Sequence, residues 1–205
     1  MKTQTKITQS NLTPQIAHNI LVEGNMRFVA NLKAQRNLKE QVFETSNGQY
    51  PFAVILSCID SRVPAELVFD QGIGDIFSVR VAGNIINDDV LGSIEYACKV
   101  AGSKIVVVMG HTKCGAVTAA CNGVELGNIT TLLSKIKPAV SKYKKDNTNF
   151  TDEMIENVSL ENVNVSIKKI TKESSILKDM EANNEIEIIG AMYDVNTGKV
   201  EFLNN

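Results

Sequence analysis

The sequence predicts an α/β chain built on a mostly parallel β-sheet. Two observations carry this expectation. Short unbroken apolar runs, Phe52 to Leu56 and Ile105 to Met109 among them, alternate with amphipathic stretches of helical period. Runs without polar alternation are what a strand covered on both faces requires, and helices between strands supply the cover. The last two apolar runs are instead joined by Asn196-Thr197-Gly198, the signature of an antiparallel hairpin, which adds a strand at the sheet edge.

Taken in order, the chain opens with a polar stretch, Met1 to Thr13, that lacks the apolar segment of a secretory signal. Thr13-Pro14 reads as an N-cap followed by proline at the first helical position. Ile16, Ile20, Met26 and Phe28 then form a broken apolar stripe to about Leu32, with Gly24 inside it. Residues 33–50 are polar and weakly patterned and end in the turn signal Ser46-Asn47-Gly48. Residues 1–50 thus read as a helical arm whose apolar face needs a partner, and a second subunit would provide one. Residues 51–205 read as the α/β body, in one domain overall. Strands are expected at 52–57, 76–81, 104–109, 185–192 and 199–203. Helices are expected at 64–69, 88–101, 114–122, 129–144 and 151–182, the last broken near Glu173-Ser174. Gly102 stands where a helix-ending glycine belongs. The stretch Lys142-Tyr143-Lys144-Lys145-Asp146 through Asn149 reads as a solvated helix end and loop.

Composition narrows the function classes. The chain has 205 residues, 43% of them apolar and 21% charged, enough to fill one core. A net charge of -2 argues against a nucleic-acid surface, and no run approaches the roughly 18 apolar residues that span a bilayer. Neither a nucleic acid nor a membrane is expected as a partner, and a cytoplasmic location is the expectation. Four cysteines in such a chain read as thiols or ligands rather than disulfides. Cys98 and Cys121 fall in helical patterns and read as small apolar packing groups. Of the two histidines, His18 belongs to the arm and reads as a surface residue or helix contact.

The remaining ligand types gather in two motifs. Cys58-Ile59-Asp60-Ser61-Arg62 follows the first apolar run, and His111-Thr112-Lys113-Cys114-Gly115 follows the second. Ligands in open α/β sheets bind beyond the carboxyl ends of the strands, which is where both motifs fall. Residues i and i+2 of an extended segment point the same way, so Cys58 and Asp60 can approach one point, with Arg62 on the same side. His111 and Cys114, three apart, would share one face of the following helix, whose N-terminus favours the thiolate of Cys114. Two thiols, an imidazole and a carboxylate are the donors that zinc takes at tetrahedral geometry. Taken singly, either motif also fits a buried strand-end thiol or a local Asp60–Arg62 salt bridge. Together, holding half the cysteines and half the histidines of the chain, they point to a zinc site. Neither a C-x-x-C redox pair nor a phosphate-binding glycine loop is present.

With CIDSRVP and HTKCGA in place, the chain resembles the β-class carbonic anhydrases, in their bacterial, plant-like branch. GNMRF at 24–28, VRVAGN at 79–84, GSIEYA at 92–97, ENVNVSIKKI and GAMYDVNTGKVEFL extend the likeness over nearly the whole length. The resemblance implies that Cys58, His111 and Cys114 bind Zn2+ and that Asp60 and Arg62 form a catalytic dyad. Arg62 would hold Asp60 off the metal in the active form, and Asp60 would be the fourth ligand in a closed form. It also implies that Gln49, Phe77 and Tyr96 line the carbon dioxide pocket, the glutamine coming from a partner subunit, with Gly115 beside them. The implied fold has strand order 2-1-3-4 with an edge hairpin strand, a domain-swapped helical arm, and assembly as a homodimer or homotetramer. Ile55 stands where an allosteric branch has the tryptophan of a second bicarbonate site, and the chain has no Trp. Arg80 matches the arginine of that site and reads here as a packing or ion-pair residue.

The implied reaction is reversible hydration of carbon dioxide to bicarbonate and a proton. Rival readings are hydrolysis of carbonyl sulfide or carbon disulfide on the same scaffold, and a structural zinc module in which Asp60 never leaves the metal.

Overall fold

A computed structural model describes residues 2–144 and 149–203. Three helices precede the sheet: α1 (Lys6–Ser10), α2 (Pro14–Val29) and α3 (Leu38–Glu44). The body then runs β1 (Ala53–Ser57), α4 (Ala65–Val68), β2 (Ile76–Arg80), α5 (Asp88–Glu95) and β3 (Ile105–His111). After it come α6 (Gly115–Cys121), α7 (Gly127–Ser134), α8 (Lys137–Tyr143), α9 (Asp152–Glu173), α10 (Ser175–Ala182), β4 (Glu187–Tyr193) and β5 (Val200–Phe202). The five strands form one sheet of order β2-β1-β3-β4-β5, parallel except for the β4–β5 hairpin. This is the predicted architecture. β1 and β3 are buried at every position, which explains their unalternating apolar sequence.

Register carries the two motifs to one edge. Ser57 lies beside Met109 in the parallel β1–β3 pair, so Cys58 and His111 leave the sheet within two residues of each other. On one face, Ile55, Met109, Val63 and Phe69 pack with Ala17 and Leu21 of α2. On the other, Leu56, Val106 and Val108 pack with Ile94 of α5 and with Val163 and Ile170 of α9.

Several expectations change in detail. The arm's buried stripe is Ala17, Leu21, Gly24 and Asn25, while Ile16 and Met26 of the expected stripe are exposed. Gly24 sets this register: a Cβ there would lie 1.9 Å from the Phe69 carbonyl oxygen. Asn25 then bonds Val68 O, Gly198 O and the Val200 N–H, and Arg27 reaches Asp70 at 2.6 Å. One face of α2 is therefore anchored on its own sheet, while Ile16, Met26 and Val29 stay exposed on the rest of it. α1 and α3 carry too few residues for a helical period to show in the sequence; Thr5 and Asn37 cap them. The helix expected at 129–144 is two helices, α7 and α8, with Pro138 in the first turn of the second. The helix expected at 88–101 passes into a π-helical turn at Tyr96–Val100, and Gly102 follows at φ 84°. The break at Ser174 is as expected, its hydroxyl capping α10. Of the predicted loop before Asn149, residues 145–148 lie outside the described residues.

Candidate metal centre and active site

The donor atoms of Cys58, His111 and Cys114 all lie within 4.8 Å of one another. The three residues are 4%, 1% and 1% exposed, so the cluster is sealed from bulk solvent on the protein side. His111 is the last residue of β3, and Cys114 is the N-cap of α6 rather than a residue of its face. The shared helix face expected for the pair does not form, because Lys113 between them turns left-handed at φ 55°. That kink, not helical periodicity, swings Cys114 back toward His111.

Imidazole chemistry fits a cation. His111 Nδ1 lies 2.9 Å from the Thr112 carbonyl oxygen, which can only accept, so Nδ1 carries the proton and Nε2 keeps its lone pair. Nε2 is buried and has no hydrogen-bond partner. A buried, unpaired acceptor beside two thiols is costly unless an ion completes it. The thiols are also prepared. Cys58 is held well below the ordinary thiol value, chiefly by the neighbouring Cys114 thiol and also by the Gly83 N–H at 3.3 Å from its sulfur. Cys114 is pushed up by that same bond and by burial. A bound cation would take both sulfurs as thiolates and displace their protons.

Asp60 does not join the cluster. Arg62 Nε and Nη2 donate to its two carboxylate oxygens at 2.9 and 2.8 Å, and the Arg62 backbone N–H adds a third bond at 2.9 Å. These bonds keep the Asp60 carboxyl well below the usual carboxylate range and raise the Arg62 guanidinium. Arg62 Nη2 also reaches the Lys113 carbonyl at 3.3 Å, tying the two motifs together.

Arg80 has a role the sequence did not disclose. Its side chain donates to the Cys58 and Asp60 carbonyls at 3.0 and 2.6 Å, clamping the backbone of the first motif, and it forms no ion pair among the described residues. Gly83, at φ 71°, adds its N–H to the Cys58 sulfur, a role that its place in VRVAGN does not disclose. Both contacts use a backbone group on one side and arise from the tertiary fold, so no residue type or spacing announces them.

Phe77 and Tyr96 come together edge to face, 6.5 Å between centroids, in a cleft of about 740 Å3 that Arg80 also borders. Gly115 opens α6 directly after Cys114, with open space where a Cβ would stand. Gln49 is not brought to them. It is exposed before the start of β1 while Cys58 follows its end, so a strand of roughly 13 Å separates them. His18 also lies apart, its ring 4.5 Å from that of Phe202 and tilted 55° to it, with Nδ1 3.7 Å from Glu187. Cys98 and Cys121 are buried among apolar side chains, which push their thiols up to about 12 and about 11. No disulfide joins the four cysteines.

The carbonic anhydrase family model matches residues 53–200, which include both motifs and strands β1 to β4. The chain belongs to the carbonic anhydrase family. It is 35% identical to carbonic anhydrase 2 of Mycobacterium tuberculosis, over 92% of each chain. It is 34% identical to the carbonic anhydrase of Mycolicibacterium smegmatis, over 93% of this chain and 94% of that one. Among solved structures, a β-carbonic anhydrase of the fungus Aspergillus fumigatus superposes with a TM-score of 0.75 at 28% identity, over 81% of each chain. Two tetrameric β-carbonic anhydrases of Sordaria macrospora provide a likeness of fold at TM-score 0.72 and 23% identity, over 82% of this chain and 91% of that one. The fold is that of β-carbonic anhydrases, and the activity this family membership supports is carbon dioxide hydration. Among the described residues no helix is long and apolar enough to cross a membrane.

Proposed function

We propose that this carbonic anhydrase hydrates carbon dioxide at one zinc ion held by Cys58, His111 and Cys114, with Asp60 and Arg62 as its catalytic dyad. The observation that carries the reading is the buried His111 Nε2, without a partner, inside a set of three donor atoms spanning 4.8 Å. When bound, zinc would supply the Lewis acidity that lets water ionise far below its free pKa. The protein's own residues do the rest. Asp60, ionised because Arg62 saturates it, accepts a hydrogen bond from the attacking oxygen and aims its lone pair at the substrate carbon. Arg62 holds that carboxylate by a two-point, charge-assisted fork. Arg80 fixes the peptide that carries both Cys58 and Asp60. Phe77 and Tyr96 offer the apolar surface that a small uncharged gas prefers to water.

The engagement of both Asp60 oxygens by Arg62 supports an open fourth position and speaks against a structural zinc module. No feature of the site favours the sulfur analogues of carbon dioxide.

The pocket needs a second subunit in this reading. Gln49 lies at the wrong end of its own β1, and Leu32, Leu38, Val42 and Phe43 around α3 are all more than half exposed, Phe43 at 81%. Apolar exposure of that extent marks an interface. The chain accordingly assembles as a homodimer or homotetramer, with Gln49 of each subunit serving its partner's site, and works in the cytoplasm. A stopped-flow hydration assay on purified protein, with metal determination and sedimentation analysis, tests these statements. Protein carrying zinc but inactive on carbon dioxide, and active on carbonyl sulfide or carbon disulfide in side-by-side assays, would overturn the substrate.

A further inference from the structure

The long helix α9 reaches both halves of the metal centre through polar groups that the reaction does not use. Glu156 Oε1 accepts the Lys113 N–H at 2.8 Å, one residue before Cys114. Six residues further, about 9 Å along the helix axis, Asn162 Nδ2 donates to the Gly83 carbonyl at 2.7 Å. The N–H of that same Gly83 donates to Cys58 Sγ at 3.3 Å. Ser166 Oγ continues the row onto Asn84 O at 3.2 Å, and Lys169 Nζ onto Ile86 O at 3.1 Å.

Helix-to-sheet packing does not require these groups. Val158, Val163 and Ile170 of α9 are already fully buried, whereas Asn162 and Ser166 are polar residues left only 1% and 3% exposed. Burying an amide or hydroxyl is unfavourable unless a specific partner receives it, and here each partner is a backbone carbonyl of the segment after β2 that lies against Cys58. The segment held by Glu156 is also one that needs holding. Lys113 at φ 55° carries its side chain in the left-handed region, which for such a residue persists only where the surroundings impose it. Glu156 is not occupied elsewhere: its second oxygen is buried with no hydrogen-bond partner.

We infer that α9 is the template that sets the spacing between the His111–Cys114 loop and the segment after β2 that bonds the Cys58 sulfur, with Glu156 holding Lys113 ahead of Cys114 and Asn162 holding Gly83 against Cys58. Both are positioning residues, and the inference rests on the metal reading given above. It makes the distance between the two loops a property of one rigid helix rather than of the loops themselves.

The test is zinc release from the purified full-length holoprotein to excess EDTA at fixed pH, together with amide hydrogen exchange at residues 111–115. Glu156→Ala and Asn162→Ala are expected to release zinc 10- to 100-fold faster, the range for losing a group that orients a ligand. Glu156→Gln keeps an acceptor oxygen and should stay within about twofold of wild type on that scale. Glu161→Ala, which removes the α9 partner of Lys142 away from both loops, should match wild type. Exchange at 111–115 should quicken in Glu156→Ala and not in Glu156→Gln. Equal release and exchange in all variants would overturn the inference, as would Glu156→Gln behaving like Glu156→Ala. Should Asn162→Ala fail to fold, the Glu156 pair still decides. Should the wild-type protein hold no zinc, the metal reading fails, and exchange at 111–115 still tests the positioning.

Discussion

Replacing Gly83 with alanine attacks the metal centre through a residue that is no ligand. Gly83 sits at φ 71°, where a Cβ costs about 1–2 kcal/mol. That Cβ would lie 2.7 Å from Ile136 Cδ1 and 3.4 Å from the Ala116 methyl. Ile136 is fully buried, so its methyl cannot swing into solvent, and overpacking of this kind costs about 1–3 kcal/mol. The sum, about 2–5 kcal/mol, corresponds to a fall in Tm of roughly 4–20 °C at this chain length. The same shift draws the Gly83 N–H away from Cys58 Sγ, so zinc should be held less tightly. Gly115→Ala is the companion measurement, because nothing lies within 4 Å of its Cβ position and its φ is not positive. That variant should unfold at or slightly above the wild-type temperature, so any fall in its kcat/KM reports on space beside the metal. Thermal unfolding of both variants, with metal determination, decides the matter. A Gly83→Ala protein with unchanged Tm and unchanged zinc content would refute the reasoning.

Further outcomes follow from the same geometry. Arg62→Ala should keep zinc yet lose most hydration activity, since Asp60 is then free to close on the metal, and Arg62→Lys should rescue poorly because an ammonium lacks the planar fork; near-normal stopped-flow rates in either would count against the dyad. Activity should climb from neutral to alkaline pH, because two thiolates donate more charge than imidazoles and leave a weaker Lewis acid than the three-histidine site of pKa near 7. Asp60 does not set that limb: its depressed pKa keeps it ionised throughout, so a profile already flat between about pH 6 and 7 would contradict the thiolate argument. Asp70→Asn should cost about 3 kcal/mol at neutral pH by withdrawing the carboxylate that Arg27 and Arg36 share at 2.6 and 2.7 Å. Burial opposes ionisation of Asp70, yet Arg27, the Ala34 N–H and Arg36 outweigh it and lower its pKa. Its contribution is therefore complete above the ordinary carboxylate value of about 3.9 and fades as pH falls toward the lowered one. Denaturant unfolding at pH 7 and near pH 3 should show the difference between variant and wild type shrinking; an equal difference at both would argue against an ionic role.

What the sequence disclosed depended on how local the cause was. β1 and β3 could be read because burial on both faces leaves no polar residue in either run. The break at Ser174 could be read because capping is decided within three residues. The convergence of Cys58, His111 and Cys114 was legible because strand ends and metal chemistry are both written in residue type. The manner of that convergence was not. A helix was assumed to carry His111 and Cys114 on one face, whereas a left-handed lysine turns the chain, held there by Glu156 some forty residues away. The stripe of α2 was legible in part: Ile20 and Phe28 pack against the core, but the buried positions include Gly24, held against the Phe69 carbonyl by a constraint from outside the helix. Arg80 was expected in packing or an ion pair and instead binds two carbonyls, groups that every residue possesses and no motif can advertise.

X-ray absorption at the zinc edge of the purified protein tests the central claim most directly. The predicted spectrum fits one zinc per chain with two sulfur neighbours near 2.3 Å, one imidazole nitrogen near 2.0–2.1 Å, and a fourth light atom. Protein that is folded and holds no zinc, or zinc without the two sulfurs of Cys58 and Cys114, would contradict it.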